Sequence, residues 1–320
     1  MDKKELITFF HDSGLVPVVA IKDAAKAVPL AKAMIAGGIY SAEVTFRTAA
    51  AEEAIRNISQ ACPEMVVGAG TVISPALAEK AVAAGAQFIV SPGFNPATVE
   101  WCISHDVPVV PGVATPSEIE RALSYGLDVL KFFPAESSGG VKMLKDLSGP
   151  FGQVKFMTTG GINPANLGDY AKAANVLAIG GSWMVKGDLI DAENWDEITR
   201  LCAEANVLLQ GMQLVHVGVN TSGPEEAMEI AKGFSKLGLT IKEGNSSIFL
   251  NSDIEVMKKP YYGTHGHIGF KVYDIERTIY FLKDKGFTVK EETIKLDAKN
   301  KIKFCYLNEE IGGFAIHLTK

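Results

Sequence analysis

From its start to about residue 205 the chain repeats one pattern. A short run of successive apolar residues is followed by a longer Ala-rich stretch with apolar positions three and four apart. Successive apolar residues fit a strand buried on both faces, and three-four spacing fits a helix with one buried stripe. Strands are expected at 16–21, 42–46, 66–69, 88–91, 107–111, 129–133, 154–158 and 176–179. Helices are expected between them, at 24–36, 49–62, 75–84, 95–105, 117–125 and 163–173. Eight strand–helix units in roughly two hundred residues predict an α/β fold of the (β/α)8 TIM-barrel type. A doubly wound open sheet is the alternative, but it usually has fewer strands and a glycine-rich first turn. Here the first strand ends in Ala20-Ile21-Lys22-Asp23.

After Asn206 the alternation stops and lysines become frequent. Residues 214–219 open a segment that continues through an expected helix at 224–237 to short strands ending near 248–256. Residues 266–272 open a second, with a helix at 274–285 and strands ending at 314–318. Lys236-Leu237-Gly238-Leu239 and Lys285-Gly286-Phe287 are each a helix end, a glycine cap and the next strand. The second part is therefore expected to be a small α+β domain of two βαβββ modules, each about fifty residues long. The expected domains are 1–208 and 211–320.

Composition narrows the classes of function. The 320 residues are 47% hydrophobic with net charge −6. Sixteen Lys+Arg against 23 Asp+Glu make the chain acidic through residue 210, and the remainder is near neutral. Neither part has the basic excess of a nucleic-acid binder. Cys62, Cys102, Cys202 and Cys305 form no CxxC pair, which argues against a zinc cluster or a disulfide framework. The charged start Met1-Asp2-Lys3-Lys4 lacks the apolar core of a signal peptide, and no apolar run is long enough to span a membrane. A protein of a reducing cytoplasm, with no nucleic-acid or membrane partner, is expected.

Candidate chemistry gathers where the barrel strands end, the usual place for an active site in this fold. Lys131 lies between Leu130, Phe132 and Phe133. An ammonium is costly to bury among such neighbours, and the neutral amine is a nucleophile able to form a Schiff base with a ketone. The bland alternative is a lysine that snorkels to water. Alternation puts Glu43, Thr45 and Arg47 on one side of the second strand, provided the strand runs that far. Glu43 is then either a general acid/base, with Arg47 clamping a substrate carboxylate, or half of a structural ion pair with Arg47 or Lys131. Thr159-Gly160-Gly161 and Gly180-Gly181-Ser182 follow the last two strands. Glycine pairs let backbone N–H groups approach an anion, and helices expected just after them, the first capped by Asn163-Pro164, point to phosphate.

These strings, together with Gly68-Ala69-Gly70-Thr71-Val72, Ser91-Pro92-Gly93 and residues 111–116, resemble the class I aldolases of the 2-keto-3-deoxy-6-phosphogluconate and 4-hydroxy-2-oxoglutarate family. The resemblance covers residues 1–205, in family order. It implies Lys131 as the Schiff-base lysine and Glu43 as the proton shuttle. It implies Arg47 and Thr71 at the pyruvyl group, Pro92 and Phe132 at the substrate, and Thr159, Gly160, Gly161, Gly181 and Ser182 at the phosphate. It further implies a small keto-acid substrate, no cofactor and a homotrimer. One departure is Thr158, where the family often has proline.

The repeated modules resemble the vicinal-oxygen-chelate superfamily, which includes glyoxalase I. That resemblance implies a divalent metal on His216, Glu255, His267 and His317, the last replacing a glutamate often found there. Imidazole and carboxylate suit Zn²⁺, Ni²⁺ or Fe²⁺. Three roles stand open for this domain: a metal-dependent glyoxalase-like activity, a ligand-binding regulatory module, or a metal-free dimerisation module.

Overall fold

All eight apolar runs of the first part are strands in the computed structural model, which describes residues 1–320. They are β1 Leu15–Val19, β2 Ser41–Thr45, β3 Val66–Gly70, β4 Phe88–Val90, β5 (Val109–Val110 and Gly112–Val113), β6 Val129–Phe132, β7 Lys155–Thr158 and β8 Val176–Gly181. Every neighbouring pair is parallel, and β1 pairs with both β2 and β8. The ring closes through β5, whose first half joins β4 and whose second half joins β6. Pro111 divides it because proline has no N–H for the ladder, yet its carbonyl still accepts from the Lys131 N–H at 2.9 Å. The sheet is thus an eight-stranded parallel barrel.

Three successive helices, Pro75–Ala83, Pro96–Ser104 and Pro116–Ser124, open alike: the side chain of Ser74, Asn95 or Thr115 caps the helix and a proline occupies its first turn. The N-terminal helix, Lys3–Ser13, plugs the far end of the barrel. Its Leu6 and Phe10 pack on Val16, Val66, Phe88, Val110 and Val129, the early residues of their strands. Phe10 meets Phe88 edge to face at 5.1 Å. With that end sealed by hydrocarbon, polar chemistry is confined to the other.

Two helix expectations need correction. The helix after Gly160-Gly161 begins only at Leu167, because the Asn163 side chain accepts from the Ala165 N–H in a local turn instead of capping a helix. The helix after Gly180-Gly181 begins only at Gly187. The long helix Trp195–Gln210, which follows that short helix, completes the eighth strand–helix unit.

The compact units are Met1–Leu209 and Gln210–Lys320. The second holds one sheet of β9 Gln213–Val219, β10 Ile241–Glu243, β11 Ser247–Leu250, β12 Ile254–Met257, β13 Gly266–Lys271, β14 Val289–Leu296, β15 Ile302–Ile311 and β16 Phe314–Thr319. Its order is β10-β11-β12-β9-β13-β16-β15-β14. In each half the last strand lies parallel beside the first, and the two first strands pair antiparallel at the centre. Helix Pro224–Ser235 buries Ala227 and Ala231 against Ile248, Leu250 and Val256 of its own half. Helix Ile275–Lys283 covers Cys305, Leu307, Ile316 and Leu318 of the other.

Candidate active site and candidate metal centre

Alternation along β6 sends Val129 into the hydrocarbon plug and therefore sends Lys131 and Phe133 into the barrel. The Nζ of Lys131 donates to both carboxylate oxygens of Glu43, at 3.0 and 3.2 Å. Lys131 is 5% exposed and Glu43 1%. The Lys131 ammonium stands 5.3 Å from the centre of the Phe133 ring. Space for the carboxylate comes from Gly70 on β3, where a Cβ would lie 2.2 Å from Glu43 Oε1.

Above this pair is a cavity of about 320 Å³, lined by Glu43, Arg47, Thr71, Pro92, Lys131, Thr159, Gly160, Gly161, Gly181 and Ser182. Thr45, also expected on this side, ends β2 with its hydroxyl donating to the Val19 carbonyl at 2.8 Å. Arg47 lies exposed just past the strand and has no ion pair. Thr71 is held at φ 59°, a left-handed conformation uncommon outside glycine that is found at functional sites. The Thr159 hydroxyl is buried without a hydrogen-bond partner, an arrangement that favours a polar ligand.

Phe132 is a correction. It is fully buried and absent from the cavity wall, and it meets Phe156 at 6.0 Å on the outer face of the barrel. The aromatic in the wall is Phe133. The period of two that turns Lys131 inward already assigns the next inward position to residue 133.

The glycine loop is supported from behind. Gly160 and Gly161 have φ of 103° and 81°, and a Cβ on Gly161 would strike Glu136 at 2.7 Å. The Glu136 N–H donates to the Gly160 carbonyl at 3.1 Å, and its carboxylate accepts from the buried Tyr170 hydroxyl. Burial, and then Glu136, push the Tyr170 phenol up. Side-chain amides of Asn163 and Asn166 both donate to the Gly161 carbonyl. The Glu136–Tyr170 support is not legible in the sequence, because the two residues are distant in the chain and match no local motif.

In the second unit four side chains converge on the sheet face opposite the helices. Ile316 and Leu318 face a helix, so His317 points the other way, as does Glu255 beside Val256. His216 Nε2 lies 3.1 Å from His267 Nε2 and 3.2 Å from His317 Nε2. Glu255 Oε2 is 3.1 Å from His267 Nε2 and 3.5 Å from His216 Nε2. Cross-strand register makes the room: His216 faces Gly269, and His267 faces Gly218. A Cβ on Gly218 would lie 2.1 Å from the His267 ring, and one on Gly269 2.5 Å from His317.

Burial, reinforced by the neighbouring histidines, pulls His216 below its usual value and His317 to about 3. Burial works to raise the Glu255 carboxyl, but hydrogen bonds from His267 and Ser247 outweigh it and hold it low. Neutral imidazoles and a carboxylate are the ligating forms. Donor atoms about 2.1 Å from a shared ion lie roughly 3–3.5 Å apart, so the donors fit a first-row divalent metal.

The sequence model of the KDPG and KHG aldolases matches residues 7–201. The 2-dehydro-3-deoxy-phosphogluconate aldolase of Treponema pallidum is 51% identical over 187 residues, 58% of this chain and 89% of that protein. The KHG/KDPG aldolase of Escherichia coli K12 is 48% identical, over 60% of this chain and 90% of its own. Among solved structures, the KDPG aldolase of Legionella pneumophila, with pyruvate captured as a covalent carbinolamine, has TM-score 0.61 and 43% identity. That match covers 62% of this chain and 97% of the other. The chain belongs to the KDPG and KHG aldolase family.

Proposed function

We propose that the barrel is a Schiff-base aldolase that splits 2-keto-3-deoxy-6-phosphogluconate into pyruvate and glyceraldehyde 3-phosphate, and/or 4-hydroxy-2-oxoglutarate into pyruvate and glyoxylate. The observation that carries this is the buried contact of Lys131 with Glu43 at the floor of a cavity ringed by anion-binding groups.

Glu43 takes a proton from Lys131, and the free amine attacks the C2 ketone. Glu43 then moves protons through the carbinolamine so that water leaves and an iminium forms. Arg47 and Thr71 hold the carboxylate of the pyruvyl part. Glu43 accepts the C4 hydroxyl proton, directly or through one water, and the C3–C4 bond breaks. Its electron pair flows into the iminium and leaves an enamine, while the aldehyde departs. Protonation at C3 and hydrolysis release pyruvate and restore Lys131. The iminium formed on Lys131 is the electron sink, and no step draws on a metal. Borohydride reduction with pyruvate, followed by peptide mapping, tests the assignment: the label is expected on Lys131, and active protein with Lys131 unlabelled would overturn it.

The second unit is proposed as a glyoxalase-like, vicinal-oxygen-chelate domain that holds one divalent metal on His216, Glu255, His267 and His317. Support comes from the convergence of these donors from the first and last strands of both modules. The ion, when bound, would polarise substrate oxygens. Ser247 donates to Glu255 Oε1 at 2.6 Å and aims Oε2 at the histidines. Metal analysis of the full chain should give one divalent ion per polypeptide, and none in a His216→Ala variant. A homotrimer is proposed by family resemblance and tested by sedimentation. The four free, buried cysteines support a reducing cytoplasm.

A further inference from the structure

Beyond the glycine loop the barrel mouth widens into an outer cavity of about 570 Å³. It shares Arg47, Gly161 and Ser182 with the inner cavity and adds Trp183 and Lys186. No acidic side chain lines it, so its formal charges are those of Arg47 and Lys186. In the inner cavity Lys131 and Glu43 neutralise each other, which leaves Arg47 as the unpaired charge there. One guanidinium thus stands at the junction of two cavities.

A phosphorylated keto acid carries two anionic ends, a carboxylate next to the reacting ketone and a phosphate dianion at the far end of its chain. One cation cannot neutralise both. Backbone N–H groups of a glycine turn contribute dipoles but no net charge. Lys186 is placed to supply the missing charge. It follows the Gly181-Ser182 turn with an extended backbone (φ −59°, ψ 141°), at the rim before the short helix Gly187–Asp191. Lys186 has no ion pair. Glu197, the acid that feels its charge, is already bridged by Arg200 at 2.8 Å.

We infer that Lys186 is the distal-phosphate cation of this site, and that it biases the barrel toward phosphorylated over unphosphorylated keto acids. The inference rests on the aldolase reading and extends it to substrate class. In 4-hydroxy-2-oxoglutarate the second carboxylate is attached to C4 itself, next to Glu43, and does not reach the outer cavity. Lys186 is therefore expected to leave that substrate unaffected.

The test measures kcat and KM for both substrates in Lys186→Met and Lys186→Arg variants, with inorganic phosphate as a competitive inhibitor. Loss of one charge-assisted hydrogen bond at a partly solvated site corresponds to roughly a tenfold rise in KM. For Lys186→Met, KM for the phosphorylated substrate should rise by about that factor, with kcat within about twofold. Inhibition by phosphate should weaken in parallel, KM for 4-hydroxy-2-oxoglutarate should not move, and Lys186→Arg should restore most of the affinity. An unchanged KM, or an equal rise for both substrates, overturns the inference. Failure of Arg to rescue also overturns it, since a purely structural lysine would behave so. Pyruvate trapping on the same proteins separates the two levels: a labelled, active enzyme with unaltered KM refutes Lys186 alone. An unlabelled enzyme that cleaves neither substrate refutes the aldolase reading, and this inference with it.

Discussion

Glu43 and Lys131 face each other across the barrel from β2 and β6, with Nζ 3.0 Å from one carboxylate oxygen and 3.2 Å from the other. Neither side chain is more than 7% exposed, so each charge depends largely on the other for its partner. Removing one partner leaves the other charge buried alone, which typically costs about 3–5 kcal/mol. Lys131→Met is therefore expected to lower stability by about that amount in urea titration, whereas Lys131→Met/Glu43→Gln should recover most of it. Glu43→Gln alone should retain slow borohydride labelling while kcat falls by about 10²–10⁴, the usual contribution of a positioned acid/base. If kcat fell less than tenfold, Glu43 would be a structural partner only.

Gly70 is the clearance that Glu43 requires. An alanine Cβ there would sit 2.2 Å from Oε1 and 2.6 Å from Cγ of Glu43. The carboxylate must then swing away from Lys131 or the strands must part, and overpacking of this kind costs roughly 1–3 kcal/mol. Gly70→Ala should lower kcat by about 10- to 100-fold, because small misplacements of a catalytic group have effects of that size. A folded Gly70→Ala enzyme with normal turnover would show that the contact with Lys131 is not needed for catalysis.

Much of the barrel was legible in the sequence because parallel strands buried on both faces leave unbroken apolar runs, as Val129-Leu130 and Phe132-Phe133 do around Lys131. The same continuity hides which way each residue points: the family resemblance implies Phe132 at the substrate, whereas Phe133 lines the cavity and Phe132 is buried. The distinction can be measured. Phe132→Ala should destabilise by about 3–5 kcal/mol with KM near normal, as a core aromatic does. Phe133→Ala should change KM with a smaller loss of stability. The reverse ordering would contradict the assigned faces. Helix starts near the glycine turns are obscured in the sequence for a different reason. Asn163 has the chemistry of a helix cap, but its side chain closes a local turn onto Ala165 and ties down the Gly161 carbonyl.

Tyr170 reaches the phosphate loop only through Glu136, so it acts by position. Its hydroxyl donates to the Glu136 carboxylate, whose Cβ and Cγ lie where a side chain on Gly161 would be. Tyr170→Phe removes that donor and leaves the ring packing intact. The loop should loosen, raising KM for the phosphorylated substrate by roughly three- to tenfold, the worth of one hydrogen bond to a charged group, with kcat little changed. A fall in kcat with KM constant would place Tyr170 in the chemistry instead.

Gly269 allows the proposed metal centre to be tested without removing a ligand. It faces His216 across the central strand pair and lies beside His317 in the parallel pairing. A Cβ there would lie 2.5 Å from His317 Nε2 and 3.0 Å from the His216 ring, so both imidazoles must move. Gly269→Ala keeps His216, Glu255, His267 and His317 and spoils their convergence. Metal affinity is expected to fall by about 10- to 100-fold, the range seen when the supports of a ligand are disturbed. A ligand present at a hundred times its dissociation constant stabilises the fold that binds it by about 2.7 kcal/mol. Added Zn²⁺ should therefore raise the melting temperature of the parent chain, and at the same concentration raise that of Gly269→Ala much less. Equal stabilisation of both proteins by Zn²⁺ would mean that the ion binds elsewhere.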